Sequence, residues 1–336
     1  MLRAIFVFFL FLLGIAGVGL GAGWALLHRA DIPYEQLEAK YGATDSQYVD
    51  LGQGVRMHYR VSGPRAAPVL LLVHGFSAST HTWDAWADLL DRSYRVVRVD
   101  LPGHGLTRAP TSYHGGVNAY RDTLQAFVES QNLGPFVLVG SSMGGNVAWR
   151  YALAHPENVA GLVLVDAAGW PDLRAGSAEL PVFQLLRNPV LGPVIRDLDS
   201  SALTRQGLRA AFADPALANE EMVLRYTELS RAPGHRQQLI DNSLGYRNGD
   251  YASAEKLAGI KAPTLILHGD RDLLVPLAAA QLFHGAITGS QLVIYSGIGH
   301  LPQEEAPSRS AQDVSEFAAK AFLRRAQPNV ALASAP

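Results

Sequence analysis

Residues 135 to 155 constrain this chain more than any other stretch, because they read as a strand that turns directly into a helix. Pro135 to Val139 is short, apolar and rich in branched residues, the pattern of a buried strand. Gly145 to His155 has helical spacing and stops at Pro156. Between them stands Gly140-Ser141-Ser142-Met143-Gly144, a Gly-x-Ser-x-Gly centred on Ser142. So sharp a turn needs small residues on both sides of a strained central one, and a serine held there projects out of the sheet above a helix N-terminus, where negative charge is favoured. In a chain with 32 glycines the pentapeptide alone is weak evidence. Its flanks give it weight.

A serine hydroxyl near neutral pH needs a base, and the base needs a carboxylate to orient it. On this architecture the order along the chain is serine, acid, histidine. Pro263 to His268 reads as a strand and runs into Gly269-Asp270-Arg271-Asp272; the next strand, Gln291 to Tyr295, runs into Ser296-Gly297-Ile298-Gly299-His300. An acid and a histidine thus each follow a strand end in the required order, on the carboxyl edge where open α/β sheets place their sites. Among 11 histidines, only His300 pairs a strand end with that order. A further buried strand, Val69 to Val73, ends in His74-Gly75-Phe76. The backbone N–H groups of Phe76 and Met143 are the expected oxyanion donors, each worth about 3 kcal/mol of transition-state stabilisation.

Together these pieces resemble the α/β-hydrolase family over about residues 47 to 325. His74-Gly75-Phe76 is similar to its His-Gly oxyanion motif, Asp100-Leu101-Pro102-Gly103-His104-Gly105 to the loop after its next strand, and Gly299-His300 to its histidine motif. Gly269-x-x-Asp272-x-x-x-Pro276 resembles its acid motif, and that resemblance makes Asp272 rather than Asp270 the acid of a Ser142–His300–Asp272 triad. Asp166, at another strand end, is a third choice. Members with an aspartate nucleophile are disfavoured by Ser142. Carbon–carbon bond hydrolases often carry Asn before the nucleophile, where this chain has Ser141.

The remaining sequence sets bounds. The chain has 336 residues, a net charge of −2 and 48% hydrophobic residues, enough for one large α/β domain with an insertion and giving no reason to expect nucleic acid. It has no cysteine, which excludes disulfides, a cysteine nucleophile and thiolate metal sites; no other metal-ligand spacing is visible and no cofactor is expected. From Ala4 to Leu27 there is no charged residue. As helix that run is ~36 Å long, enough to cross a ~30 Å hydrocarbon core, and longer than the usual apolar part of a cleaved signal. The expectation is an anchor over residues 1–29, with cleavage and secretion as the alternative, and a catalytic domain on the exported side.

Residues 30–46 read as a juxtamembrane linker or short helix. Strands and helices then alternate from 47 to 169 and from 258 to 325, which implies a mostly parallel sheet covered by helices on both faces. Between them, 170–257 lacks strand signals and is punctuated by prolines. A stretch of this length is far longer than an ordinary connection and is expected to form a helical cap. Phe183, Leu185, Leu186, Val190 and Leu191 are candidates to line an acyl pocket or simply to pack the cap. Residues 326–336 are expected to be disordered. His74 is expected to shape the oxyanion loop, His104 and His268 to be structural, and His81, His114, His235 and His284 to lie on the surface or cap.

The function expected is hydrolysis of a carboxylic ester through an acyl-enzyme. The membrane segment, and a likeness to the membrane-anchored monoacylglycerol-lipase branch of the family, suggest lipid acyl esters. Carbon–carbon bond hydrolysis, acyl transfer on the same triad and a non-enzymatic tethered binding protein are the alternatives.

Overall fold

In this computed structural model the described residues are 21–171, 185–186, 188–245 and 250–327. After a helical stretch at 21–27 come α1 (Tyr34–Tyr41), β1 (Ser46–Asp50), β2 (Arg56–Ser62), β3 (Val69–Val73), α2 (Asp84–Leu90), β4 (Arg95–Val99), α3 (Val117–Ser130), β5 (Phe136–Ser141), α4 (Met143–Ala154) and β6 (Val159–Val165). The insertion carries α5 (Leu191–Arg196), α6 (Ser201–Ala211), α7 (Glu220–Leu229), α8 (His235–Gly245) and α9 (Ala254–Leu257), with no strand among its described residues. The chain then returns through β7 (Thr264–Gly269), α10 (Leu277–Ala286), β8 (Gln291–Tyr295), α11 (Pro302–Glu305) and α12 (Pro307–Ala326).

The eight strands form one sheet in the order β1-β2-β4-β3-β5-β6-β7-β8. The β1–β2 and β2–β4 pairs are antiparallel, and every pair from β4 to β8 is parallel. β1 and β2 form a hairpin around residues 52–54. Gly52, Gln53 and Gly54 all have positive φ there, which two glycines make affordable.

The central strands are apolar without alternation because both of their faces are covered. Leu71, Val73, Leu138, Leu162, Leu164 and Ile266 pack with Phe127 of α3, Trp149 of α4 and Phe283 of α10. Their neighbours Leu70, Leu72, Val137, Val139, Val163 and Leu265 point the other way, onto Trp86 of α2 and Val314 and Phe317 of α12. At about 25 cal/mol per Å² of apolar surface removed from water, these two layers are the main stabilisation of the fold. They also hold five strand ends in fixed register along one edge of the sheet.

The apolar run 4–20 and the tail after 327 lie outside the described residues. Among the described residues, no helix is long and apolar enough to cross a membrane.

Candidate active site

The carboxyl ends of β3, β5, β6, β7 and β8 deliver His74, Ser142, Asp166, Asp272 and His300. Ser142 is held at φ 53°, ψ −116°, a left-handed conformation strained for a non-glycine residue. Its N–H donates to Val165 O at 2.9 Å, and its carbonyl accepts from Ala168 N at 3.0 Å and Asn146 N at 3.2 Å. The glycines earn their place by close approach: a Cβ on Gly140 would lie 2.2 Å from Gly144 O, and one on Gly144 would lie 2.2 Å from Val73 O. Ser142 occupies the N-cap position of α4, yet its hydroxyl does not cap the helix. An N-cap serine ordinarily bonds the N–H two or three residues on. Here the backbone strain aims the hydroxyl away from that bond.

The acid turn is built by backbone N–H groups. Asp272 Oδ1 accepts from Leu274 N at 2.7 Å and Val275 N at 3.0 Å, and Oδ2 accepts from His300 Nδ1 at 2.6 Å. Burial alone would raise the Asp272 carboxyl, but His300, the Val275 N–H and His268 together hold it below the usual carboxylate range. The hydrogen bond places the imidazole proton on Nδ1 and leaves Nε2 with a lone pair. Asp270, the competing acid, faces elsewhere: its Oδ1 accepts from Gly297 N at 2.7 Å and ties down the loop that leads to His300. Ser142 lies on the same sheet edge, but no hydrogen bond joins its Oγ to the imidazole. Such bonds are often long in unliganded enzymes and tighten when substrate binds.

A second carboxyl stands behind the pair. Asp166 is fully buried at φ 43°, and its Oδ1 accepts from Gly269 N at 3.0 Å. Burial, then the neighbouring Asp272, push its carboxyl well above the usual range. One donor atom each of Asp166, Asp272 and His300 lie within 4.8 Å of one another. The 2.6 Å Asp272–His300 contact is a hydrogen-bond distance, and Asp166 stands beside that acid–histidine pair. His268 is buried nearby, Nε2 to Val275 O at 3.1 Å, and burial lowers its basicity.

On the other flank, His74 is fully buried. Its Nδ1 donates to Gly75 O at 2.7 Å and its Nε2 accepts from Leu101 N at 3.0 Å, so it braces the loop below Phe76. A Cβ on Gly75 would come 3.1 Å from the Ser142 Cβ, which places this loop against the Ser142 turn. The N–H of Met143 is the first of α4 and has no intrahelical carbonyl to meet.

His235, expected on the surface or cap, opens α8 of the insertion and is buried there, with Nδ1 2.9 Å from Leu229 O and Nε2 3.0 Å from the Tyr34 hydroxyl. Leu185, Val190 and Leu191 are exposed rather than packed inward, and Phe183 lies outside the described residues. In the helical stretch at 21–27, Trp24 Nε1 donates to Val194 O at 2.9 Å, and Trp24, Leu26 and Leu27 are exposed. Sequence reasoning overlooked Asp100, whose carboxylate gathers Thr80 N, Leu106 N and His58 Nδ1.

A family model described as alpha/beta hydrolase fold matches residues 68–307. A monoacylglycerol lipase of Xenopus laevis, abhd6-B, is 28% identical over 273 residues, 76% of each chain. A putative lipase of Acinetobacter baumannii superposes with a TM-score of 0.71 at 27% identity, over 88% of this chain and 99% of that one. A membrane phospholipase A described as a bacterial virulence factor gives a TM-score of 0.69 at 26% identity, over 96% of this chain and 99% of that one.

Proposed function

The chain belongs to the alpha/beta hydrolase fold family, and from that premise we propose that it is a serine hydrolase of carboxylic esters whose triad is Ser142, His300 and Asp272. The observation that carries this reading is the buried 2.6 Å hydrogen bond from His300 Nδ1 to Asp272, on the sheet edge that also holds the strained Ser142. His300 Nε2 takes the hydroxyl proton as Ser142 Oγ attacks the ester carbonyl. Asp272 keeps the imidazole in the required tautomer and stabilises its cationic form. The Phe76 and Met143 N–H groups, with the α4 N-terminus behind them, receive the developing alkoxide. His300 returns its proton to the leaving alcohol, and water activated by the same nitrogen then releases the acid from Ser142.

The substrate class is lipid acyl esters. The names of the relatives support this, as does the uncharged run 4–27, which we read as a membrane anchor for a catalytic domain on the exported side. Residues 30–46 then link that anchor to a core of 47–169 and 258–325, with 170–257 as a cap.

Ser142→Ala is expected to lower hydrolysis of p-nitrophenyl acyl esters by about 10⁴-fold or more while leaving the circular dichroism spectrum unchanged. Undiminished turnover in that variant would overturn the assignment. A series of acyl lengths, run beside a ring-cleavage dienoate, separates ester from carbon–carbon bond hydrolysis.

A further inference from the structure

We infer that Glu305 is a positioning residue that couples the helical insertion to His300, an inference that rests on reading His300 as the general base. Glu305 is the last residue of α11, and its carboxylate bridges two parts of the chain that are remote in sequence. Oε2 accepts from Gly299 N at 2.5 Å, immediately before His300. Oε1 accepts from Ala213 N at 2.8 Å and Asp214 N at 3.2 Å, just beyond the C-terminus of insertion helix α6. His300 itself hangs from the same place, its N–H donating to Ala211 O at 2.7 Å.

There is no slack around this clasp. A Cβ on Gly299 would lie 2.6 Å from both Ala211 O and Ala213 N, and a Cβ on Gly269, at the end of the acid's strand, would lie 2.0 Å from Gly299 O. The histidine loop is therefore clamped between the acid turn and the insertion. On its apolar side, Leu301 packs with Leu208, Ala211, Phe212 and Val223 of the insertion. Charge-assisted hydrogen bonds are about twice as strong as neutral ones, and three N–H groups converge on this carboxylate. Among the described residues, Glu305 has no ion-pair partner. Its neighbour Glu304 turns the other way, onto the Thr82 hydroxyl. The Glu305 carboxylate is thus committed to holding backbone, and the backbone it holds carries the catalytic base on one side and the insertion on the other. A shift of the insertion is transmitted to the imidazole, and a misplacement of about 1 Å at a catalytic group can cost ~10²-fold in rate.

The test uses the full chain and counts active sites by fluorophosphonate titration, so that partial unfolding does not register as lost chemistry. Glu305→Ala is expected to lower kcat for p-nitrophenyl acetate per titrated serine by ~10²-fold with KM little changed. Glu305→Gln, which keeps one accepting oxygen, should fall between it and wild type. The acetate ester is too short to depend on an acyl pocket in the insertion. Slowing confined to long-chain esters would make Glu305 a pocket-shaping residue and overturn the inference, as would wild-type acetate kcat in either variant. If Glu305→Ala does not fold, Glu305→Gln decides alone. Wild-type protein that takes no label at Ser142 removes the ester-hydrolase reading and this inference with it. Wild type and both variants labelling equally fast removes this inference only.

Discussion

Among the described residues, two buried histidine–aspartate pairs are hydrogen-bonded, His300–Asp272 and His58–Asp100, each with Nδ1 2.6 Å from a carboxylate oxygen. The second even completes a serine–histidine–aspartate chain, because His58 Nε2 lies 2.9 Å from Ser46 Oγ. By contact distances alone it is the better formed of the two. What separates them is everything around the serine. Ser46 sits on the outermost antiparallel strand, with no backbone strain, and its Oγ already accepts from Ala43 N at 3.0 Å. Ser142 is strained, leaves its helix uncapped and stands at the N-terminus of α4. Asp100 spends both oxygens on backbone and on His58, stapling the stretch after the oxyanion loop to the Pro102–Gly105 turn. A hydrogen-bonded Ser–His–Asp chain is therefore a structural tie unless the hydroxyl is aimed at open space and something nearby awaits an oxyanion.

The sharpest way to break this contrast is through the acids. Asp272→Asn should reduce kcat by about 10⁴-fold, because the amide favours the wrong imidazole tautomer, while the fold persists. Steady-state hydrolysis of a short ester measures it, and a loss below tenfold would mean that His300 does not depend on Asp272.

The carboxyl beside the pair gives a medium effect with a definite sign. Asp166 is raised in the folded state, so the unfolded chain releases this proton first as pH increases. Its contribution to stability is complete below the unfolded carboxylate pKa and declines as pH rises towards the folded value. Asp166→Asn mimics the neutral acid at every pH. Melting temperatures measured upward from the ordinary carboxylate range should show the variant gaining on wild type as pH rises, and a constant difference would refute the raised carboxyl. Asp272 has the opposite sign: its depressed carboxyl adds stability above the unfolded value, and that stability is lost as pH falls through the folded one.

The smallest effect sharpens the contrast from the other side. Ser46→Ala removes one hydrogen bond to His58 and should cost ~1 kcal/mol in denaturant unfolding. Turnover per titrated active site should stay at the wild-type value.

The difference between the two pairs also explains what the sequence could tell. The Ser142 turn was legible because its causes are contiguous: a branched apolar strand, two glycines where backbones touch, and a helix. The strands at 69–73 and 291–295 read correctly for the same local reason. Choosing between Asp270 and Asp272 needed a family spacing, since both follow the same strand end and only the fold shows Asp270 bound to Gly297 N. His58–Asp100, Asp166 beside Asp272 and the Glu305 clasp were not legible. Each joins residues brought together by sheet register or by the insertion's return, and no local signature in the sequence shows the pairing. The insertion's apolar residues misled for a related reason. Hydrophobicity at Val190 and Leu191 signals burial against something, and a soluble interior is only one such surface.

The most direct test of the serine assignment is to label the intact protein with a fluorophosphonate and map the modified peptide. A single adduct on Ser142, lost in His300→Ala and retained in Ser46→Ala, is the expected result. An adduct on Ser46, or rapid labelling of Ser142 that is indifferent to His300, would contradict it.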